Sequence, residues 1–294
     1  MDKIYTKARA KVNLSLNVLD KRKDNYHNLE SIFQKINLYD ELYLEKNDKE
    51  TLELITNLKN VELENNIIYK AYIKLKEKYN TIKGVKVTLN KRIPTQAGLA
   101  GGSTDCASFI LAMNKLYNLN LTEKELIDLG KTLGADVCPC YYNKAVKGEG
   151  IGDVITPIDT KMKYYMLIIK PRISYPTKDM FEKLDKTQHL RQREMAAPIV
   201  RALETDSLPL LCDNLYNVFE DVITEKYMLQ TLKNELIQNG AMGTLMTGSG
   251  SCVYGIFKNK YEAKKAYDTL KSKYEIYICT SYNTSKKHIS SIVT

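Results

Sequence analysis

The stretch Ile93-Pro94-Thr95-Gln96-Ala97-Gly98-Leu99-Ala100-Gly101-Gly102-Ser103-Thr104-Asp105 has the composition of an anion cradle. Its glycines leave the backbone free of side-chain bulk and able to adopt positive φ. Beyond it, Cys106, Phe109, Ile110, Met113, Leu116 and Tyr117 recur at the spacing of one face of an amphipathic helix. Ser103, Thr104 and Asp105 stand where an N-cap belongs. A bare loop feeding a helix start offers unpaired N–H groups and the positive end of the helix dipole, which is the chemistry of phosphate binding. Two common phosphate motifs are excluded. No Lys follows Gly102, as a Walker loop requires, and no G-x-G-x-x-G dinucleotide fingerprint is present. The loop is therefore either a phosphate cradle of another kind or a glycine turn without a ligand.

A second set of candidate groups lies near the start of the chain. Ala10, Val12, Leu14, Leu16 and Val18 alternate with Lys11, Asn13, Ser15 and Asn17, the period of a half-buried strand. The polar row either faces solvent or lines a cleft. Asp136, just past Gly134, reads by itself as a turn residue.

The elements that would position these groups can be read around them. A turn over Asp20 to Asn25 leads through Tyr26-His27 to an apolar stretch around Ile32 and Phe33, with short strands expected near Ile36–Leu38 and Leu42–Leu44. Residues 67–79 have a helical pattern capped by Asn65 or Asn66, and Val85, Val87 and Leu89 alternate as a strand just before the glycine loop. Thr122-Glu123-Lys124-Glu125 has the form of a capping box. Gly148 to Asp153 reads as a flexible turn. After Pro157 come an apolar strand (164–170), mostly helices to about Gly240, a second small-residue loop (Thr247-Gly248-Ser249-Gly250-Ser251), a strand (253–257), a helix (261–274) and a last strand (276–280). This order suggests an α+β layered architecture.

With 294 residues, the chain is long enough for two domains, here expected over 1–157 and 158–294. A net charge of +9 suits an anionic partner, but the lysines are scattered and form no nucleic-acid arm. The start of the chain lacks the apolar core of a signal peptide, and the apolar run at 164–169 is too short to span a bilayer. A cytoplasmic protein is expected, its six cysteines reduced and buried.

Taken together, Ala10–Leu14, Pro94–Asp105 and Thr247–Ser251 resemble, in order and spacing, the GHMP kinases, the superfamily of galacto-, homoserine, mevalonate and phosphomevalonate kinases. Ala10-Lys11-Val12-Asn13-Leu14, Tyr26-His27, Gly134-Ala135-Asp136-Val137 and Pro176-Thr177 with Phe181 are similar to one branch, whose members phosphorylate the 2-hydroxyl of a cytidyl diphosphate sugar alcohol. The resemblance implies a two-domain α+β fold, with a ribosomal-protein-S5-like N-terminal domain and a ferredoxin-like C-terminal domain flanking the active site. It implies that Asp136 is the general base and Lys11 its partner, lending positive charge to the transferring phosphoryl group. Asn13 would meet the acceptor alcohol. His27 would contact the cytosine edge between the rings of Tyr26 and Phe181, with Thr177 as a further polar contact. Pro94, Gly98, Leu99, Ala100, Gly101, Gly102, Ser103 and Thr104 would cradle the phosphates of ATP, and Gly248, Ser249 and Gly250 would brace the site. Mg²⁺ is expected with ATP. No nucleic-acid or membrane partner is expected.

Three departures from the family pattern stand out. Asn25 replaces a usual Gly before Tyr-His, and Asn tolerates left-handed geometry. Ala100 replaces a common Gly, and Cys138-Pro139-Cys140 follows Asp136-Val137. The alternatives are a homoserine- or mevalonate-type kinase, a basic RNA-binding protein, or a silent member used as a regulator. Tyr26, His27 and Phe181 argue against the first, because those enzymes hold no nucleobase. Scattered lysines argue against the second, and the retained Lys11, Asp136 and loop against the third.

Overall fold

The computed structural model describes residues 1–59, 62–187 and 195–285. The chain opens with a long antiparallel hairpin, β1 (Lys3–Lys21) and β2 (His27–Asn47), turned by a tip in which Asn25 takes φ 66°. β3 (Leu52–Thr56), α1 (Ile67–Lys78), β4 (Gly84–Asn90) and α2 (Gly101–Leu116) follow. Next come α3 (Glu123–Lys131), the single turn α4 (Val137–Cys140), and the hairpin β5 (Val146–Gly150) with β6 (Val154–Pro157). The second half contains β7 (Tyr165–Lys170), α5 (Thr177–Asp185), α6 (Ala196–Glu204), α7 (Leu208–Asp213) and β8 (Tyr216–Asn217). It ends with α8 (Lys226–Gln238), β9 (Gly243–Met246), β10 (Val253–Phe257), α9 (Lys260–Leu270) and β11 (Glu275–Thr280).

The first sheet has the order β3-β4-β2-β1-β8, and β5 with β6 extends from the other end of β2. The second sheet has the order β11-β7-β10-β9. This is the α+β arrangement expected. Because successive strand residues point to opposite faces, β1 divides its work. Val12 and Leu14 join Ile32, Ile36, Met166, Ile168 and Tyr254 in a core between the two sheets. Lys11 and Asn13 face the other way and line a cleft, whereas beyond a register shift between Asn13 and Ser15 it is Leu16 that lines it, and Ser15 and Asn17 are buried without doing so. α1 and α2 close a second core over the first sheet, and α8 and α9 a third against the second sheet. Among the described residues, no helix is long and apolar enough to cross a membrane. All six cysteines are buried and free.

Three local expectations change. The two short strands near Ile36–Leu38 and Leu42–Leu44 are one continuous strand, in which Asp40, between them, is fully buried with its carboxylate satisfied. Gly148 to Asp153 is largely the β5–β6 hairpin. Gly148 sits inside β5 because a Cβ there would come 2.7 Å from the Phe33 ring. α2 begins at Gly101, so Ser103, Thr104 and Asp105 lie within its first turns and do not cap it. The helix is also buried on nearly every side from Thr104 to Met113, not on one face.

The capping box is complete. Thr122 Oγ1 accepts from Glu125 N at 3.2 Å, and Glu125 accepts from Thr122 N at 3.0 Å. Thr122→Ala is expected to cost about 1 kcal/mol in denaturant unfolding; an unchanged midpoint would contradict that role.

Candidate active site

Lys11 and Asn13 of β1, the glycine loop and the second small-residue loop meet around a cavity of about 670 Å³. Lys11 projects into it from β1 and is 2% exposed. Its ammonium lies 5.3 Å above the Phe33 ring, donates to Asn13 Oδ1 at 2.8 Å and stands 3.5 Å from Asp136 Oδ2. Asp136 occupies the residue before α4 without capping it, and its side chain stays 42% exposed to the cavity. A buried ammonium thus faces an accessible carboxylate, a pair able to take a proton and to steady negative charge nearby.

Asn13 is a junction. Its Oδ1 also accepts from Gly248 N at 3.0 Å, its Nδ2 donates to Ser31 Oγ at 2.8 Å, and its backbone N–H donates to Thr247 Oγ1 at 3.2 Å. One residue therefore ties Lys11 to the second loop, and that amide still has one N–H left for an acceptor alcohol.

The two loops meet backbone to backbone. Gly98 has φ 74°, and a Cβ on it would lie 2.0 Å from the Thr247 carbonyl oxygen. Gly248 has φ 58°, and a Cβ there would lie 3.0 Å from Gly98 Cα. Thr247 Oγ1 donates to the Gly98 carbonyl at 3.1 Å. Ala100 turns the chain into α2 at φ 55°, ψ 35°, the left-handed geometry that explains why glycine is common there. The first N–H groups of α2 have no intrahelical acceptor, so Gly101, Gly102 and Ser103 present an anion site at the cavity wall. Pro94, Gly98, Leu99 and Ala100 line the same cavity, as do Gly248, Ser249 and Gly250 of the adjoining loop.

Thr104 does not line it. Its N–H donates to the Ala100 carbonyl at 2.9 Å, its hydroxyl donates to the Arg9 carbonyl at 2.6 Å and accepts from Lys35 at 3.0 Å, so it pins α2 to β1. Burial pulls the Lys35 ammonium down from its ordinary range.

A buried triad behind the loop escaped the sequence. Lys91 donates to Asp40 and, at 2.6 Å, to Asp105. The other Asp40 oxygen accepts from Arg92 N and Ile93 N, which fixes the chain entering the loop. Burial pushes the Asp105 carboxyl well up, and Lys91 only partly opposes it. Burial also works against the Lys91 charge, but two carboxylates outweigh it and its ammonium is held up. The one available signal was position, since Lys91 stands between a strand and the loop. Lys91, Thr95, Gly102 and Ser103 are shared with a second cavity of about 560 Å³, bounded by Asn65, Asn66, Ile67 and Leu89.

At the other end, Thr177 Oγ1 and Ser249 Oγ are 3.0 Å apart, and Phe181 lines the cavity. The Phe181 ring stacks on His27 with centroids 4.9 Å apart and meets Phe219 edge-on at 5.1 Å. His27 Nε2 is 2.6 Å from Asp185 Oδ1. Tyr26 is 58% exposed, its N–H held by Asp24 at 3.1 Å, and it lies outside the cavity wall. The structure thus gathers Lys11, Asn13, Asp136, Thr177, Phe181 and the loops around one cavity, with His27 behind Phe181. It does not bring Tyr26 opposite Phe181.

Residues 66–144 match the family model described as GHMP kinases N terminal domain, and residues 199–276 the model described as GHMP kinases C terminal. The chain is 40% identical over 267 residues to a 4-diphosphocytidyl-2-C-methyl-D-erythritol kinase of Caldicellulosiruptor saccharolyticus, covering 90% of this chain and 92% of that one. A protein of the same name from Clostridium tetani is 39% identical over 275 residues, covering 92% and 98%. The crystal structure of a 4-(cytidine 5'-diphospho)-2C-methyl-D-erythritol kinase superposes with TM-score 0.81 at 27% identity, covering 96% of this chain and all of the other. A homoserine kinase from Cytophaga hutchinsonii superposes with TM-score 0.77 at 20% identity, covering 98% and 97%, a likeness of fold.

Proposed function

The chain belongs to the 4-diphosphocytidyl-2-C-methyl-D-erythritol kinase family of GHMP kinases, and we propose that it transfers the γ-phosphoryl group of ATP to the 2-hydroxyl of that cytidyl substrate. The observation that carries this reading is the Lys11–Asp136 pair, 3.5 Å apart, in the cavity that also receives the N-terminus of α2. In this account, Gly98 to Ser103 hold the triphosphate through backbone N–H groups, and the second cavity beyond the loop takes the nucleoside. The acceptor is a tertiary alcohol and a weak nucleophile. Asp136 takes its proton as the new P–O bond forms and the bond to the β-phosphate breaks, releasing ADP. Lys11, held by Asn13, stays against the charge on the transferring group.

Among the described residues, no group of three or more His, Cys, Asp or Glu side chains could hold a metal ion. A Mg²⁺ that travels on nucleotide phosphates needs only one or two protein oxygens, and the hydroxyl of Ser103 in the first turn of α2 has the right chemistry. When bound, it would neutralise charge on the β and γ oxygens. The two sheets, each drawn mainly from one half of the chain, support a division into units 1–157 and 158–294, with β8 crossing back to pair with β1.

His27 and Phe181 form the base-binding end in this reading, with Tyr26 able to join only by moving from its exposed position. His27→Ala is expected to raise KM for the cytidyl substrate about tenfold or more, with little change in KM for ATP, because lost polar contacts to a base are read in that substrate alone. Coupled ADP-release kinetics measure both constants, and an unchanged KM for the cytidyl substrate would refute the role.

A further inference from the structure

Thr177, Phe181 and Asp185 recur at four-residue steps and share one face of α5. Each makes a different contact at or behind the cleft wall: Thr177 the Ser249 hydroxyl, Phe181 the His27 and Phe219 rings, and Asp185 the His27 imidazole behind it. Asp185 is shared, because its second oxygen accepts from Lys21 Nζ at 2.5 Å. The Lys21 bond first, with the His27 bond adding to it, holds the Asp185 carboxyl below the usual carboxylate range. Asp185 is therefore an anion at neutral pH, and a carboxylate anion only accepts hydrogen bonds. The ring nitrogen it meets must carry the proton.

His27 has a side chain only 7% exposed, flat against Phe181, and its Nδ1 has no hydrogen-bond partner among the described residues. We propose that Asp185 is a positioning residue of the base-binding end: it holds the His27 ring with hydrogen on Nε2, leaving Nδ1 as an acceptor for the exocyclic amine of a cytosine-type base. The proposal rests on the functional reading above and supplies what ring stacking lacks, since stacking accepts any base. A uracil ring has a carbonyl oxygen where cytosine has its amine, so two acceptors would face each other. A site built around such a hydrogen bond rejects the analogue that cannot make it. Lys21 completes the device by keeping Asp185 charged and turned toward the ring.

The test uses the full-length protein, labelled with ¹⁵N-histidine, at about pH 8, above the ordinary imidazole range. The His27 signal is assigned by its loss in His27→Gln. In the free wild-type protein, the ring should show hydrogen on Nε2. In Asp185→Asn, whose amide can donate as well as accept, the signal should move toward a mixture with hydrogen on Nδ1. The same variant should raise KM for the cytidyl substrate about tenfold, with kcat and KM for ATP within about twofold, the size of one lost hydrogen bond. Asp185→Glu should recover most of that loss. A wild-type ring carrying hydrogen on Nδ1 overturns the proposal whether or not the variant folds. So does an Asp185→Asn protein with an unchanged ring signal and an unchanged KM for the cytidyl substrate. A wild-type protein that turns over no cytidyl substrate would instead defeat the functional reading, while the ring signal of the free protein still decides the tautomer.

Discussion

Asp136→Asn is expected to lower kcat by about 10²–10⁴-fold, the usual contribution of a positioned general base. The substitution keeps the shape of the side chain and removes the capacity to take a proton at neutral pH. ATP binding should stay within about twofold of wild type, because the phosphate loop and α2 are untouched and the ionic partner of Asp136 is Lys11 of β1, not a loop residue. Calorimetry reads the binding and coupled ADP release reads kcat. A kcat within tenfold of wild type would remove Asp136 as the proton acceptor. Residual turnover is expected even in the variant, because orientation and charge stabilisation by the loop and Lys11 survive.

Gly98→Ala should fail for a different reason. Gly98 stands at φ 74° with the Thr247 carbonyl oxygen 2.0 Å from any added Cβ. Left-handed backbone costs an ordinary residue about 1–2 kcal/mol, and overpacking adds about 1–3 kcal/mol. The expected loss is about 2–5 kcal/mol of stability, together with at least tenfold weaker ATP binding as the two loops separate. Gly102→Ala is the contrast, since the nearest atom to its added methyl is Ile67 Cγ2 at 4.0 Å. Its stability should change by less than about 0.5 kcal/mol. Equal losses from the two substitutions in thermal unfolding would mean that the Gly98–Thr247 contact is not what holds the loops together.

The parts of this fold that periodicity encodes were legible. Alternation marked β1 and β4, the Thr122 box marked the start of α3, and Asn66 caps α1 as its position suggested, accepting from Ile68 N. Features set by tertiary contact were not. The two short strands expected around Ile36–Leu38 and Leu42–Leu44 run on through Asp40, and nothing local shows that Lys91 and two backbone N–H groups wait for its carboxylate. Gly148 looks like a turn because the Phe33 ring that requires a bare backbone is far away in sequence. The start of α2 is hidden for a related reason: Ala100 adopts a backbone that alanine rarely chooses alone.

The site divides in the same way. Lys11, Asp136 and the loops stand out through residue type and order, and folding brings them together. Lys91 and Asp185 act through partners 51 and 158 residues distant, a relation no local pattern carries. Asp185 could be suspected only from its four-residue step beyond Phe181.

The central claim is that this cleft phosphorylates the 2-hydroxyl of the cytidyl substrate. Incubating the enzyme with ATP, Mg²⁺ and 4-diphosphocytidyl-2-C-methyl-D-erythritol, beside parallel reactions with homoserine and mevalonate, tests it most directly. ADP release should follow the cytidyl substrate alone, and ³¹P NMR of the product should show a new phosphomonoester on the 2-hydroxyl. Turnover of homoserine or mevalonate with none of the cytidyl substrate, or phosphorylation at another hydroxyl, would contradict the account.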